Sequence, residues 1–383
     1  MLRIALQMLR GETGRYLGII AGVVFASFLL TQQLATFAGF SEQTYSGILV
    51  AGADVWVMDP GVRYIDDSKP MGDGQLARVR SVQGVAWAGP LYKSTIRTRL
   101  GDGKFESVAL YGIDDATLFG GPSVMMHGKI SDLRSADAVV VDAASAVEKL
   151  GHVDAEGREI PLRIGDVLEL NDHRAVVVGI CKADRGFEGL PVVYTTYHRA
   201  LQFAPAERKM LTFILVRTQP GWTADAVARN IQQETALAAY SADDFVARTV
   251  RYFITETGVI IGFLLSVLVS FLIGTLIAGQ TFYNFTLENL RYFGMLKAMG
   301  ATNRVILAII FFQAGYVGAV GFGLGTGMAC LLGFAIRTSP VGFRLPWQVL
   351  AVTGTAIILI CLIAALISIG KVLRLEPAVV FKG

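Results

Sequence analysis

The sequence predicts an α-helical membrane protein with four transmembrane helices and one large mixed α+β extracytoplasmic domain between helices 1 and 2. Three observations carry that reading. The 383-residue chain is 53% hydrophobic and only 17% charged, which is too apolar for an ordinary soluble protein. Its apolar residues gather in runs without a charged side chain, 17–40, 257–287, 305–336 and 345–370. Each run exceeds the roughly 20 residues that a helix needs to cross a bilayer core. The basic residues, finally, cluster beside particular ends of those runs.

Arg3, Arg10 and Arg15 precede the first span, Arg291, Lys297 and Arg304 separate the second from the third, and Lys371, Arg374 and Lys382 follow the fourth. By the positive-inside rule these segments, and with them both termini, are cytoplasmic. Arg337 and Arg344 form a weaker cluster on the other side. The long segment between the first two spans is then extracytoplasmic, and its own charges are no obstacle, because long domains translocate largely regardless of charge. The resulting order is a cytoplasmic N-terminus (1–15), span one with a stalk (16–49), the outer domain (50–244), a stalk with span two (245–285), a cytoplasmic segment (286–303), span three (304–336), a short outer loop (337–345), span four (346–370) and a cytoplasmic tail (371–383). A cleaved signal peptide is the alternative for span one. Its uninterrupted apolar run is long for that role, so an anchor is expected.

Within the outer domain, short runs rich in Val, Ile and aromatics at 54–58, 107–112, 138–141, 174–180, 191–194 and 211–217 read as strands. Helices are expected at 74–82, 143–150 and 223–237. Gly165-Asp166 and Asn171-Asp172 bracket a short strand as hairpin punctuation. The paired carboxylates Asp66-Asp67, Asp114-Asp115 and Asp243-Asp244 read as solvated turn residues rather than catalytic groups. Cys181 is the one cysteine outside the spans, and the four histidines follow no ligand spacing, so neither a disulfide framework nor a metal site is expected. No nucleophile elbow and no Ser/His/Asp motif is present.

Span two carries small residues at every fourth position, Gly258, Gly262, Ser266, Ser270, Gly274 and Ala278. On a helix they form one smooth face that lets another backbone approach closely, either a helix of the same chain or a second copy. No proline interrupts 245–280 and helical spacing persists, so a single helix of roughly 54 Å is expected there. Span one extends similarly through Leu34, Phe37, Tyr45 and Ile48. The apolar runs of the spans contain no Asp, Glu, Lys, Arg or His, which argues against an ion-coupled carrier. The chain lacks a G-x-x-x-x-G-K-[ST] phosphate loop, so any ATP-driven work must draw on a partner.

The segment ENLRYFGMLKAMGATNRVI (288–306) places Leu290, Phe293, Leu296 and Met299 at every third residue, with Glu288 and Arg291 as an i,i+3 pair. Gly300 permits a break before the next helix begins near Thr302. The pattern fits a short amphipathic helix, whether it meets a partner or lies on lipid.

This segment resembles the coupling segment of the FtsX/MacB/LolC-type permeases of mechanotransmission ABC transporters. Gly294, Leu296, Lys297, Ala298, Gly300, Ala301 and Ile306 match that family's pattern, and Tyr292 stands where it carries an acidic residue. The closing Leu375-Glu376-Pro377-Ala378-Val379-Val380-Phe381-Lys382-Gly383 is similar to the family's ending, and the order of spans and domain also fits, nearest to the DevC-like branch without a fused ATPase. The resemblance implies a MacB-like periplasmic core, a bacterial inner-membrane location, and a homodimer working with two copies of a separate ABC ATPase. ATP and Mg²⁺ would bind that partner and no cofactor this chain. Glu288, Leu290, Arg291, Phe293, Gly294, Leu296, Lys297 and Gly300 would form the ATPase-coupling helix. A periplasmic adaptor and an outer-membrane exit duct are further implied partners, beside membrane lipids, and nucleic acid is not one. The implied function is export of an amphiphile, such as a lipid, glycolipid or lipoprotein. Regulation of a cell-wall hydrolase without transport is the alternative within the same family.

Overall fold

The computed structural model describes residues 13–153, 159–183, 185–205, 210–336 and 342–373. Arg3, Arg10, Arg337, Arg374, Lys382 and the 375–383 motif lie outside the described residues, as do the side chains of Arg15 and Lys371. The chain divides into two compact units, one of Met1–Phe40 with Gly258–Gly383 and the other of Ser41–Thr257.

The first element, α1 (Thr13–Val50), is one unbroken helix of 38 residues. At 1.5 Å per residue it measures about 57 Å, against about 30 Å of hydrocarbon to cross. The expected extension through Tyr45 and Ile48 is therefore helical. Beyond Gly52 follow β1 (Val55–Met58), α2 (Gly74–Arg80), β2 (Val85–Arg99), β3 (Phe105–Ile113), β4 (Val124–His127), β5 (Ala138–Asp142), α3 (Ala143–Glu148), β6 (His152–Val153) and β7 (Glu159–Ile160). Then come β8 (Val167–Leu170), β9 (His173–Lys182), β10 (Val192–Thr196), α4 (Tyr197–Phe203), β11 (Phe213–Thr218), α5 (Ala224–Thr235), β12 (Ala238–Ser241) and α6 (Ala242–Thr255).

Ten of these strands form a mixed sheet in the order β12-β1-β11-β2-β3-β10-β5-β9-β4, with β8 against β2 and β9, while β6 and β7 pair separately. Its backbone is the long β2, which sequence reading missed because Gly89-Pro90 interrupts the run like a turn. Instead the pair sits at a handover. The first half of β2 pairs with β11 as far as Leu91, and from Tyr92 onward the strand pairs with β3. One strand thus joins two half-sheets. The β8–β9 hairpin closes through Asn171-Asp172 with Leu170 directly opposite His173, and both loop residues have positive φ, the backbone of a type I′ turn.

Both faces of the sheet are covered. Along β1, Val55 and Val57 join one buried cluster with Val79, Ala200, Phe203, Val227 and Ile231 from α2, α4 and α5. Trp56 and Met58 join the opposite cluster, which includes Ile48 and Phe245 from α1 and α6. Trp56 packs on Phe213 and Phe245, each with ring centroids 5.5 Å away. This two-sided burial explains why the strands read as continuous apolar runs rather than alternating ones.

The remaining helices are α7 (Val259–Glu288), α8 (Leu290–Ala298), α9 (Asn303–Ala335) and α10 (Trp347–Leu373). Four helices, α1, α7, α9 and α10, are long and apolar enough to cross a membrane. The single helix expected over 245–280 is in fact two. α6 ends at Thr255, and Gly258, at φ +67°, serves as the N-cap of α7. Absence of proline is thus not continuity, because a glycine in the left-handed region ends a helix equally well.

Cys181 on β9 is fully buried, and burial, with the Asp142 carboxylate adding to it, pushes its thiol up to about 12. At pH 8 only about 1 in 10⁴ of the molecules would carry the reactive thiolate. In a Cys330→Ser, Cys361→Ser variant, N-ethylmaleimide at pH 8 should leave the folded protein unlabelled over a time that fully labels the denatured chain. Equal labelling rates would contradict the packing of β9.

Candidate ATPase-coupling segment

The turn from α7 into α9 is built by three local devices. Asn289 ends α7 and begins α8, and its buried side-chain amide donates to the Phe285 carbonyl at 2.8 Å. The Asn289 carbonyl accepts from the Tyr292 and Phe293 amides, which starts α8. At the far end, the Gly300 amide donates to the Lys297 carbonyl and the Ala301 amide to the Leu296 carbonyl. Those two bonds, with Gly300 at φ +93°, make a Schellman motif. Thr302 then caps α9 with its backbone carbonyl, which accepts from Val305 and Ile306.

Phe293 seats the short helix. It is 1% exposed and belongs to the cluster of Phe282, Phe285, Ile306, Ile309 and Ile310. Removing such a ring from water contributes about 1.5–3 kcal/mol, which matters because nine residues are too few to hold a helix alone. Gly294 is buried beside it, and Leu290 and Leu296 are half-buried against the same cluster. Met299 departs from the expected period-three stripe and is 75% exposed. Glu288 and Arg291, expected as one i,i+3 pair, stand in α7 and α8 with the interruption at Asn289 between them.

The outward face of α8 therefore consists of Arg291, Tyr292, Met295, Ala298 and Met299. Tyr292 and Met295 are 53% and 39% exposed. Of the residues expected to couple, Phe293 and Gly294 hold the helix in place, while Arg291 and Gly300 face out and Lys297 is half-buried in the last turn. Sequence reading singled out the period-three stripe, of which Leu290, Phe293 and Leu296 are the anchor, grouped Met299 with that stripe although it faces out, and missed Tyr292 and Met295. The i, i+3, i+7 spacing of Tyr292, Met295 and Met299 on the opposite side of the helix was the available signal.

The smooth face of α7 divides in two. Ser270, Gly274 and Ala278 are buried within the chain's own bundle, and a Cβ added at Gly274 would lie 2.5 Å from that of Ala26 on α1. Gly262, by contrast, has open space where its Cβ would be, as does Gly258, and Ser266 is half-buried. Only 11% of the most apolar stretch of α7 is buried, against 33–44% for the other three spans. The close approach to another helix of this chain is thus confined to the second half of the stripe.

A family model described as MacB-like periplasmic core domain matches residues 16–234, and one described as FtsX-like permease C-terminal matches 260–377. The chain belongs to the MacB- and FtsX-like ABC transporter permeases. An uncharacterized ABC transporter permease of Mycobacterium tuberculosis is 26% identical over 373 residues, covering 95% of this chain and 94% of that one. Another, from Methanocaldococcus jannaschii, is 27% identical over 184 residues, or 46% of this chain and 45% of its own. The solved periplasmic region of MacB from Actinobacillus actinomycetemcomitans is 14% identical, with a TM-score of 0.38, over 53% of this chain and 94% of that one. Membership in the ABC permeases implies an ATPase partner subunit, and the permease is not itself the ATPase.

Gly300→Val would place a β-branched side chain where φ is positive, which costs about 1–2 kcal/mol or more. Amide exchange across 296–303 should rise several-fold in this variant while α9 beyond Ile309 is unchanged. Exchange at the wild-type rate would mean that the Schellman turn does not fix the end of α8.

Proposed function

We propose that this chain is the permease subunit of an ATP-driven exporter for an amphiphilic substrate such as a lipid, glycolipid or lipoprotein, set in the bacterial inner membrane with both termini cytoplasmic. The outward face of α8 docks on a separate ABC ATPase, which binds the ATP and Mg²⁺; this chain binds neither. Two permeases and two ATPases work together, so that nucleotide-driven closure of the ATPases moves two copies of α8. The continuous α1 passes that motion to the α/β domain, which handles the substrate outside the cytoplasm. A periplasmic adaptor and an outer-membrane duct complete the route.

The observation that carries this reading is α8 itself. A nine-residue helix is fixed at both ends by backbone caps, seated by Phe293, and presents Tyr292, Met295 and Met299 outward beside Arg291. A lipid-lying helix would need no such rigid mounting, whereas a helix that transmits force does. The absence of Asp, Glu, Lys, Arg and His from the apolar runs 17–40, 257–287, 305–336 and 345–370 agrees with a substrate that does not pass between the spans.

Met295→Asp should reduce the ATPase recovered with the tagged chain from native membranes by more than about tenfold, as expected for a charge at the centre of a docking surface. The amount of chain in the membrane should not change, because Met295 faces out. Leu296→Asp is a poorer test, since Leu296 packs in the bundle. Undiminished recovery of the ATPase with Met295→Asp would remove α8 as the docking element.

On this reading the second copy meets the open half of the α7 stripe, where a Cβ added at Gly258 or Gly262 would meet nothing within 4 Å among the described residues. Gly262→Val should lower the dimer fraction several-fold by native mass spectrometry in mild detergent, with monomer thermal stability intact. A dimer fraction equal to wild type would give this face to lipid.

A further inference from the structure

The last turn of α6 is held by two segments that lie far apart in the α/β domain sequence. The first, 59–69, connects β1 to α2. Its Tyr64 stacks on Tyr252 with ring centroids 4.3 Å apart and planes 10° from parallel, and meets the Phe253 ring edge-on at 5.4 Å. Arg63 lies over the other ring partner, 5.1 Å from the Tyr252 centroid, and Arg248 donates to the Val62 carbonyl at 3.4 Å. The second segment, 185–190, precedes β10. Its Phe187 sits 4.8 Å from the Phe253 ring. Two loops, remote in sequence, therefore close on adjacent residues of one helix.

Each loop is tied to the sheet by a buried cation and a carboxylate. Lys93 on β2, almost fully buried, bonds to Asp66 of the first loop and donates to the Ile65 carbonyl at 3.3 Å. Arg185 of the second loop is buried as well. It donates to Glu148 on α3 at 2.8 Å and lies 3.6 Å from Asp142, a fully buried carboxylate at the end of β5. Asp142 in turn accepts from the Ser145 amide, capping α3, and from the Val192 amide, fixing the start of β10. The anchors place the loops accurately because a buried charge that strays from its partner is strongly penalised.

The loops do not simply pack on each other. Between them lies a cavity of about 50 Å³ lined by Asp66 and Ser68 from one, Gly186, Glu188 and Leu190 from the other, with Lys93 beneath. The rings of α6 bridge them instead. The second anchor is also the less complete, since Nε and Nη2 of Arg185 have no hydrogen-bond partner among the described residues.

We propose that segments 59–69 and 185–190 are two straps that clamp the final turn of α6, and that their release is a discrete conformational step of the α/β domain. α6 leads in sequence directly to Gly258 and α7, so the clamp decides whether the end of α6 is part of the domain or free of it. The straps are built for this role: a charged anchor on the rigid sheet, a short lever, and an aromatic tip whose hold on its partner is modest. An aromatic pair contributes about 0.5–1.5 kcal/mol, enough to bias an opening and too little to forbid it.

Hydrogen exchange with mass spectrometry on the full chain in detergent micelles tests this without the ATPase. Phe187→Ala should accelerate exchange over 250–255 by about two- to tenfold, leaving α5 at the wild-type rate. Arg185→Gln should accelerate the same amides, although among the described residues the ion pairs of Arg185 are to Glu148 and Asp142 rather than to α6, because it releases the strap that carries Phe187. A wild-type rate over 250–255 in Phe187→Ala overturns the proposal. The same rate in Arg185→Gln, with 185–190 loosened, overturns it equally. Should Arg185→Gln fail to fold, Phe187→Ala decides alone, since its ring is partly exposed and its loss leaves no buried charge unpaired.

Discussion

Two spans joined by a short connection can be held rigidly only if every backbone group freed by ending one helix and starting the next finds a partner. The segment between Asn289 and Thr302 meets that constraint almost entirely from its own atoms. The Asn289 side chain adds a second donor to the Phe285 carbonyl, which already accepts from the Asn289 amide, Gly300 and Ala301 supply backbone donors to two carbonyls at the end of α8, and Thr302 offers its carbonyl to the next helix. With the polar groups paired locally, Phe293 is free to turn inward and Tyr292, Met295 and Met299 are left outward. The outward face is thus a consequence of how the turn closes. A side chain that broke the Schellman geometry would alter what the segment can present, even without touching that face.

The architecture was legible in the sequence because the membrane imposes a simple rule. Charge-free runs longer than a bilayer is thick have few alternatives to spanning helices, and all four runs are helices. The strands 105–113, 138–142, 173–182, 192–196 and 213–218 announced themselves through β-branched residues and flanking turns. β2 did not, since Gly89-Pro90 carries a local turn signal that only the tertiary handover from β11 to β3 overrides. Asp66 and Asp114 were read as solvated turn residues, yet Asp66 pairs with the buried Lys93 and Asp114 is itself buried, accepting from the Thr117 amide and hydroxyl. Long-range ion pairs leave no periodic trace. The same holds for α8: period three identified its anchored side, but which side faces inward depends on Phe282, Phe285 and Ile306, distant from it along the helices.

The stripe on α7 shows how one motif can serve two ends. Small residues every fourth position imply close approach but not to what. Gly274 settles half of the question, because Ala26 already occupies the space its side chain would take. A glycine with no neighbour, such as Gly262, has no such reason within the chain. Packing among the described residues therefore accounts for the second half of the stripe and leaves the first half without an explanation inside them.

The two chain segments that enter and leave the α/β domain differ in kind. α1 runs through without interruption to Val50, whereas the return path breaks at Gly258 between α6 and α7. An unbroken helix resists bending along its length, while a glycine in the left-handed region is a place where φ and ψ can change at little steric cost. If both paths were stiff, the domain could respond to the spans only by moving as a body. Within the α/β domain, the proposed straps at Tyr64 and Phe187 would hold the end of α6 through modest ring contacts, while the buried anchors at Lys93 and Arg185 tie them to the domain far more firmly. Release would then fall on the rings rather than on the anchors.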